Sequence, residues 1–264
     1  NFKLICSSHG DDLAYDKKFN YGARLKYHNN FIFHFVKYFT DLIIVSSRAM
    51  FDFATKSGVN NKKLLLIRNG IEIASYEKIS YTSKIKQKYK IKNNELVFLC
   101  ISGHRKIKNV EGIIKSLSKF KEKYKLILCS YGEETSNLKK LSKKLNIYNN
   151  IIFMKFVKGV KKKEIFKISD VYINLAYFEP FGLTYLEALN YRLAIIGSCY
   201  GGAKDIFKNN YDAIIVNPYN KKQVLSSIKK IFQKRVRSKL LKNSKRKLEF
   251  FDIQIVSKLF AKAF

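Results

Sequence analysis

The sequence predicts an α/β fold built on parallel sheets. Short apolar runs of strand length, rich in β-branched and aromatic residues, recur along the chain, among them Leu42-Ile43-Ile44-Val45, Leu96-Val97-Phe98-Leu99-Cys100-Ile101 and Val171-Tyr172-Ile173-Asn174-Leu175. Polar loops and segments of helical spacing separate them, so strand and helix alternate in β-α-β-α order through residues 1–70. That order favours parallel strands, which need a crossover between neighbours.

Residues 4–6 open as a strand, and Ser7-Ser8-His9-Gly10-Asp11-Asp12 is the polar loop at its carboxyl end, the side on which open α/β sheets bind ligands. Residues 31–39 carry aromatics at mixed spacing and read as a mostly buried helix leading into the strand at 42–45. Ser46 or Ser47 is the N-cap of a helix over 48–56, with Gly58 past its end as a stop. A further strand spans 64–67, and Asn69-Gly70 is a turn. Residues 76–94 are lysine-rich without strand pattern and read as a linker with a short helix.

The continuous apolar strand at 96–101 runs into the loop Ser102-Gly103-His104-Arg105-Lys106-Ile107-Lys108-Asn109 and a helix over 110–120. Strands follow at 126–129 and 151–153, then a basic helix at 161–168, with Asp170 heading the next strand. Residues 194–197 and 213–216 are two more short buried strands, and Asn217-Pro218 is a turn. Residues 221–232 and 237–250 form amphipathic, lysine-faced helices, and 253–264 place Ile253, Val256, Leu259, Phe260 and Phe264 at helical spacing.

The segment 177–206 concentrates the chemistry. Pro180 lacks an N–H and disfavours helical backbone at Glu179, which leaves Glu179 on a loop while Leu183 to Tyr191 follow at helical spacing. The N–H groups around Phe181, Gly182 and Leu183 then lack intrahelical partners and, with the positive end of the helix dipole, favour a phosphate. Gly182 admits a ligand close to the backbone. Glu179 ahead of the helix and Glu187 in its second turn would accept hydrogen bonds from hydroxyls on either side of that phosphate, the pattern of a nucleotide sugar. The competing assignment makes Glu179 a cap and Glu187 a solvated charge; Pro-Phe-Gly between them and a buried strand before them favour the site.

These residues resemble the E-x7-E region of family 4 (group 1) retaining glycosyltransferases. Gly201-Gly202-Ala203-Lys204-Asp205-Ile206 looks like that family's G-G-x-x-E segment, with Asp205 in place of the usual Glu. Arg68-Asn69-Gly70-Ile71-Glu72 resembles its N-G-[IV]-[DE] turn, Asp41-Leu42-Ile43-Ile44-Val45-Ser46 its D-x-[VI]-[IV]-x-[VS] strand, and His9-Gly10 its H-G loop. Five segments in the right order carry the resemblance.

The resemblance implies the B-type glycosyltransferase fold of two Rossmann-like domains, here with the N-terminal one incomplete and lacking a Gly-rich loop. The expected units are an acceptor-side domain at 1–75, a linker at 76–94, a nucleotide-sugar domain at 95–250, and at 251–264 a helix crossing back to the first domain. By the same resemblance His9, Arg105, Lys108 and Glu179 stand at the reaction centre. Arg105 and Lys108, closer together than is usual in the family, grip the donor diphosphate; Lys106 could substitute. Glu179 and the Phe181-Gly182 backbone hold the sugar, the amides near Leu183 and Thr184 the phosphate, Glu187 the ribose, and Met154 to Val157 the base. Ser130-Tyr131-Gly132-Glu133 resembles the family's G-x-G-x-E turn with one Gly replaced. No cofactor and no metal are implied beyond the nucleotide diphosphate sugar itself.

Length and composition bound the rest. At 264 residues the chain holds one large domain or two modest ones, and 47% hydrophobic residues make it globular. Fifty-two Lys plus Arg against 20 Asp plus Glu give +32, a field that attracts any polyanion and identifies none. The lysines are spread over the chain, so no specific nucleic-acid site is expected. Cys6, Cys100, Cys129 and Cys199 lie near the ends of strand-like runs without C-x-x-C pairing and read as small buried hydrophobes of a reducing compartment. With no secretory signal and no span apolar enough for a bilayer, the expected place is the cytoplasm, with peripheral contact to the inner face of the membrane where the acceptor is lipid-linked. The acceptor class is otherwise open: glycan, lipid-linked or small molecule. Two rivals stand beside the transferase: a truncated, non-catalytic homologue that binds nucleotide or a partner chain, and a polyanion-binding module.

Overall fold

A computed structural model describes residues 3–73 and 82–263. Of the expected 76–94 linker, 76–81 lie outside the described residues, as does Phe264; Thr82–Lys88 form a helix.

Two parallel sheets carry the fold. The first joins β1 (Ile5–Ser8), β2 (Leu42–Val45) and β3 (Leu64–Leu66) in the order β1-β2-β3. The second contains β4 (Leu96–Ile101), β5 (Tyr124–Cys129), β6 (Ile151–Met154), β7 (Val171–Ile173), β8 (Ala194–Ser198) and β9 (Ile214–Val216). Its order is β6-β5-β4-β7-β8-β9, with every pairing parallel.

The continuous apolar runs are explained by what covers them. Along β4, Val97 and Leu99 point into one buried cluster, with Phe166 and Tyr185, while Phe98 and Cys100 point into another, with Ile113 and Ile228. Both faces of the second sheet are therefore packed under helices, and alternation has no polar face to record. The order of strands reverses between β4 and β7, so their following loops diverge and open a crevice at the carboxyl edge.

The helix before β2 differs from expectation. It runs Tyr27–Phe39, and Phe33 is its one buried residue. Tyr27, Phe31, Phe35 and Tyr38 stand 55–90% exposed, with Ile32 and Phe39 beside them. The described three-stranded sheet presents area for one side of this helix, where Phe33 meets the buried guanidinium of Arg24 at 3.5 Å from the ring centroid; the opposite aromatic stripe has no described neighbour to cover it.

The two sheets are linked by specific contacts. Asp205, its side chain 5% exposed, accepts from the backbone N–H of Arg48 at 3.0 Å and from Arg68 Nη2 at 3.2 Å. Ser47 caps the Arg48–Lys56 helix by accepting from Met50 N–H at 3.1 Å, and its hydroxyl donates to the carbonyl of Pro180 at 2.5 Å. The Ile253–Ala261 helix buries Val256 against Ile44 and Ile67, and the Ile71 and Ile253 amides donate to Phe251 and Ile71 carbonyls. All four cysteines are free; Cys100 and Cys129 are buried, whereas Cys6 and Cys199 are half-buried rather than fully enclosed. Burial pushes the Cys129 thiol up to about 12, so it packs as a neutral hydrophobe.

Candidate active site

The crevice at the β4/β7 reversal is built around Glu179. β7 ends at Ile173, and the next residue, Asn174, is 1% exposed. Its Oδ1 accepts from Ala176 N–H at 2.9 Å, which fixes the side chain so that Nδ2 donates to Glu179 Oε2 at 3.2 Å. Lys108 Nζ, from the turn after β4, donates to the same oxygen at 3.0 Å. One carboxylate and one ammonium thus meet across the switch point from opposite loops, both largely shielded from water.

The Glu179 main chain is held as firmly. Its N–H donates to the Tyr200 carbonyl at 3.1 Å and its carbonyl accepts from Gly202 at 2.9 Å. Gly201 between them has φ +123°, and a Cβ there would lie 1.9 Å from the Glu179 carbonyl oxygen, so only glycine fits. On the other side, a Cβ on Gly10 would lie 2.7 Å from Pro180 Cγ. The loop after β1 is therefore seated on Pro180, which places exposed His9 next to the crevice.

Phe181 is buried and Gly182 adopts the left-handed conformation, φ +86°, as N-cap of the Leu183–Asn190 helix. Among the described residues nothing accepts from the N–H groups of Gly182, Leu183 or Thr184; the first amide engaged is that of Tyr185, to Gly182. Free amides at a helix start attract an anion. The Thr184 hydroxyl is already engaged, accepting from Tyr172 at 2.6 Å.

Glu187, in the second turn, accepts from Lys162 Nζ at 2.6 Å through Oε1, while its Oε2 is buried without a partner. A buried carboxylate oxygen without a protein donor can still accept a hydrogen bond from water or from a ligand. The same holds nearby: Ser8, Ser46 and Ser102 hydroxyls and His104 Nε2 are also buried without partners, and all four lie at or just past the carboxyl ends of β1, β2 and β4.

Arg105 is exposed and stacks its guanidinium over the Tyr21 ring at 5.5 Å. Burial pushes the Tyr21 phenol well above its ordinary range, with the Asp11 and Glu179 carboxylates adding to the shift. Tyr21, Asp11, Glu179 and Arg105 therefore share one electrostatic neighbourhood spanning both sheets. Lys106 lines a cavity of about 190 Å3 together with Arg105, Phe19, His104, Glu134 and Tyr177. Met154 lines a cleft of about 510 Å3 with Ser130, Tyr131 and Lys139, whereas the Val157 side chain is buried in the core, so any ligand role of Val157 falls to its main chain. His104 Nδ1 lies 2.8 Å from the Thr135 hydroxyl, and burial, with Lys139, holds its pKa below the usual histidine value.

Three contributors escaped the sequence. Asn174 read as part of a strand, though an Asn closing an apolar run is a signal for a side chain turned back on its own loop. Lys162 sits in a Lys161-Lys162-Lys163 run whose members cannot be told apart without coordinates. Tyr21 has no motif around it.

Comparison with known proteins places this geometry. The family of glycosyl transferases group 1 matches residues 82–248, more than half of the chain. An uncharacterized glycosyltransferase of Methanocaldococcus jannaschii is 34% identical over 200 residues, 73% of this chain and 50% of that protein. N-acetyl-alpha-D-glucosaminyl L-malate synthase of Bacillus anthracis is 27% identical over 172 residues, 64% of this chain and 44% of its own length. The chain thus spans about half the length of the curated relatives it matches. Among solved structures, Anabaena HepE in complex with UDP-glucose superposes with TM-score 0.87 at 19% identity, covering 99% of this chain and 71% of that one. Sucrose-phosphate synthase of Thermosynechococcus elongatus gives 0.83 at 15% identity, covering 100% and 67%. The architecture is that of the B-type glycosyltransferases. With both glutamates, the two basic loop residues and the free amides all inside or bordering the matched region, the chain belongs to the group 1 glycosyl transferases.

Proposed function

We propose that the chain carries the donor site of a retaining glycosyltransferase that moves a sugar from a nucleotide diphosphate sugar to an acceptor hydroxyl. The observation that carries this reading is the meeting of Lys108 and Glu179 beside the unpaired amides of Gly182, Leu183 and Thr184. Lys108 neutralises the Glu179 carboxylate; with donor bound, Lys108 and Arg105 take the diphosphate and Glu179 turns to the sugar hydroxyls. The bond between the anomeric carbon and the phosphate oxygen breaks as the acceptor oxygen bonds to that carbon on the same face. The acceptor proton passes to the departing phosphate oxygen. Charge growing on that group is stabilised by the two cations and the helix amides. His9, on the facing loop, borders the acceptor side. Glu187 Oε2, buried and unpaired, suits a ribose hydroxyl.

The substrate class is in keeping with two of the similar proteins: HepE, alike in fold, is in complex with UDP-glucose, and the Bacillus anthracis relative is an N-acetyl-alpha-D-glucosaminyl L-malate synthase. For the surroundings, we place the protein at the cytoplasmic face, in peripheral contact with anionic membrane. The exposed aromatic stripe of the Tyr27–Phe39 helix and the +32 charge support that contact; no described helix is long and apolar enough to cross a membrane.

The test is a melting-temperature panel with UDP, GDP, ADP and their sugars, followed by donor turnover. A ligand bound by the fold raises its apparent stability. One nucleotide should raise it in the parent and lose that effect in Glu187→Ala. A panel without any shift removes the donor-site reading; a shift without turnover of any donor sugar leaves a nucleotide-binding homologue instead of a transferase.

A further inference from the structure

A row of aromatic rings runs past Glu179, from Phe19 and Tyr177 beside the Arg105 turn to Tyr219 and Tyr200 on the side opposite Met154. Phe19 stacks on Tyr177 at 4.7 Å between centroids and 14° between planes, and Tyr177 stacks on Tyr219 at 4.5 Å and 25°. Tyr200 then stands nearly perpendicular to Tyr219, at 5.6 Å and 80°. The last two rings keep 41% and 49% of their surface open. They meet at a corner in which Tyr219 has Tyr177 against one face and Lys18 Nζ 5.5 Å from its ring centroid.

This corner is fixed in place. The Tyr177 amide donates to Ile107 in the Arg105–Lys108 turn at 2.8 Å, and Glu179 N–H donates to the Tyr200 carbonyl at 3.1 Å. Tyr200 and Tyr219 amides are held by Ser198 Oγ at 3.1 Å and Asn217 Oδ1 at 3.0 Å, side chains at the ends of β8 and β9. The rings are thus tied to both residues that meet at the switch point. A tyrosine brings large, rigid contact area at low entropic cost.

We propose that Tyr200 and Tyr219 form a saccharide subsite of the acceptor, in continuity with the donor sugar held at Glu179. The placement follows from strand order. From the β4/β7 reversal, β5 and β6 lead to Met154 and the base side, whereas β8 and β9 lead to Tyr200 and Tyr219. A group beyond the donor sugar on this side belongs to the acceptor. Two perpendicular rings match the shape of one pyranose: its C–H face packs on one ring, and its equatorial hydroxyls reach the phenols, which donate and accept. The Tyr219 phenol stays protonated because burial and its neighbours raise its pKa. The inference rests on the donor-site reading for its orientation.

Saturation-transfer NMR with maltose, cellobiose and lactose as probes tests it, on the parent, the Tyr200→Ala/Tyr219→Ala double variant and Tyr219→Phe. The parent should pass saturation to the ring C–H protons of at least one disaccharide. The double variant should bind that probe at least about tenfold more weakly, as expected when exposed aromatic anchors are removed. Tyr219→Phe, which keeps the ring, should stay within about threefold. The melting shift with UDP should be the same in all three proteins. Equal binding by the double variant, or no disaccharide bound by the parent, overturns the subsite. Disaccharide binding lost in the double variant while UDP gives no shift in any protein would sink the donor reading, and with it the acceptor role, while keeping the saccharide contact of the two rings.

Discussion

Lys108 Nζ and Glu179 Oε2 lie 3.0 Å apart across the point where the strand order reverses. Their side chains are 13% and 16% exposed, and Asn174 supports the same carboxylate oxygen. Each charge is the other's counter-ion; under the proposed reading a diphosphate takes the ammonium. Lys108→Met is expected to weaken UDP binding by about tenfold to a hundredfold, the worth of one charge-assisted hydrogen bond. Glu179→Gln keeps the shape, releases Lys108, and should bind UDP at least as tightly as the parent while transfer falls about a hundredfold or more. Calorimetric titration with UDP and a donor-turnover assay read the two effects; unchanged UDP affinity in Lys108→Met would refute the pairing's role.

Ser130 follows β5 with φ +110°, a conformation that favours glycine, at the position where the resembled turn carries Gly. Ser130→Gly should therefore stabilise the fold, relief of strain exceeding the added chain entropy by about 1 kcal/mol. For a chain of this size that is a rise in melting temperature of about 2–4 °C. A lower melting temperature would show that the serine is unstrained there.

His104 is buried with its pKa held below the ordinary value by burial and by Lys139. The unfolded chain then binds the proton more readily than the folded one. Stability attributable to the neutral ring is present above the unfolded pKa of about 6.5 and is lost as pH falls toward the folded value. Melting curves from pH 7 down to pH 5 should show a steeper decline for the parent than for His104→Gln. Parallel declines would mean that the ring is not the titrating group.

Membrane contact through the Tyr27–Phe39 helix predicts co-sedimentation with phosphatidylglycerol–phosphatidylcholine vesicles. The Phe31→Ser/Phe35→Ser/Tyr38→Ser variant should bind at least about tenfold more weakly, and added salt should weaken the parent. Binding that survives the triple substitution, or concentration-dependent dimerisation of the parent without vesicle binding, would assign the face elsewhere.

Most of the architecture could be read from the chain because buried parallel strands leave a strong local mark. Residues 96–101 are apolar at every position, which only a strand packed on both faces requires, and β4 proves to divide its side chains between two cores. The Glu179 to Glu187 segment was legible for a similar reason: Pro180 and Gly182 constrain the backbone by themselves. What could not be read were partners set by long-range folding. The residue that faces Glu187 is Lys162, 25 positions away in a run of lysines, and nothing local selects it. The Tyr27–Phe39 helix misled because aromatic content reports what a residue would gain by burial, not whether the fold supplies a surface to bury it against.

The Asp205 clasp on Arg48 and Arg68, the Ser47 hydroxyl on the Pro180 carbonyl and the seat of Gly10 on Pro180 are short-range bolts between the two halves, beside the Val256 contact with Ile44 and Ile67 and the Phe19–Tyr177 stack. Every group assigned to the donor nucleotide lies on the far side of those bolts, in the six-stranded half. If the proposed donor site is right, that half is a transplantable cassette: a chimera that keeps these bolts but takes its first sheet from another group 1 relative should keep the nucleotide preference of this chain in the melting panel.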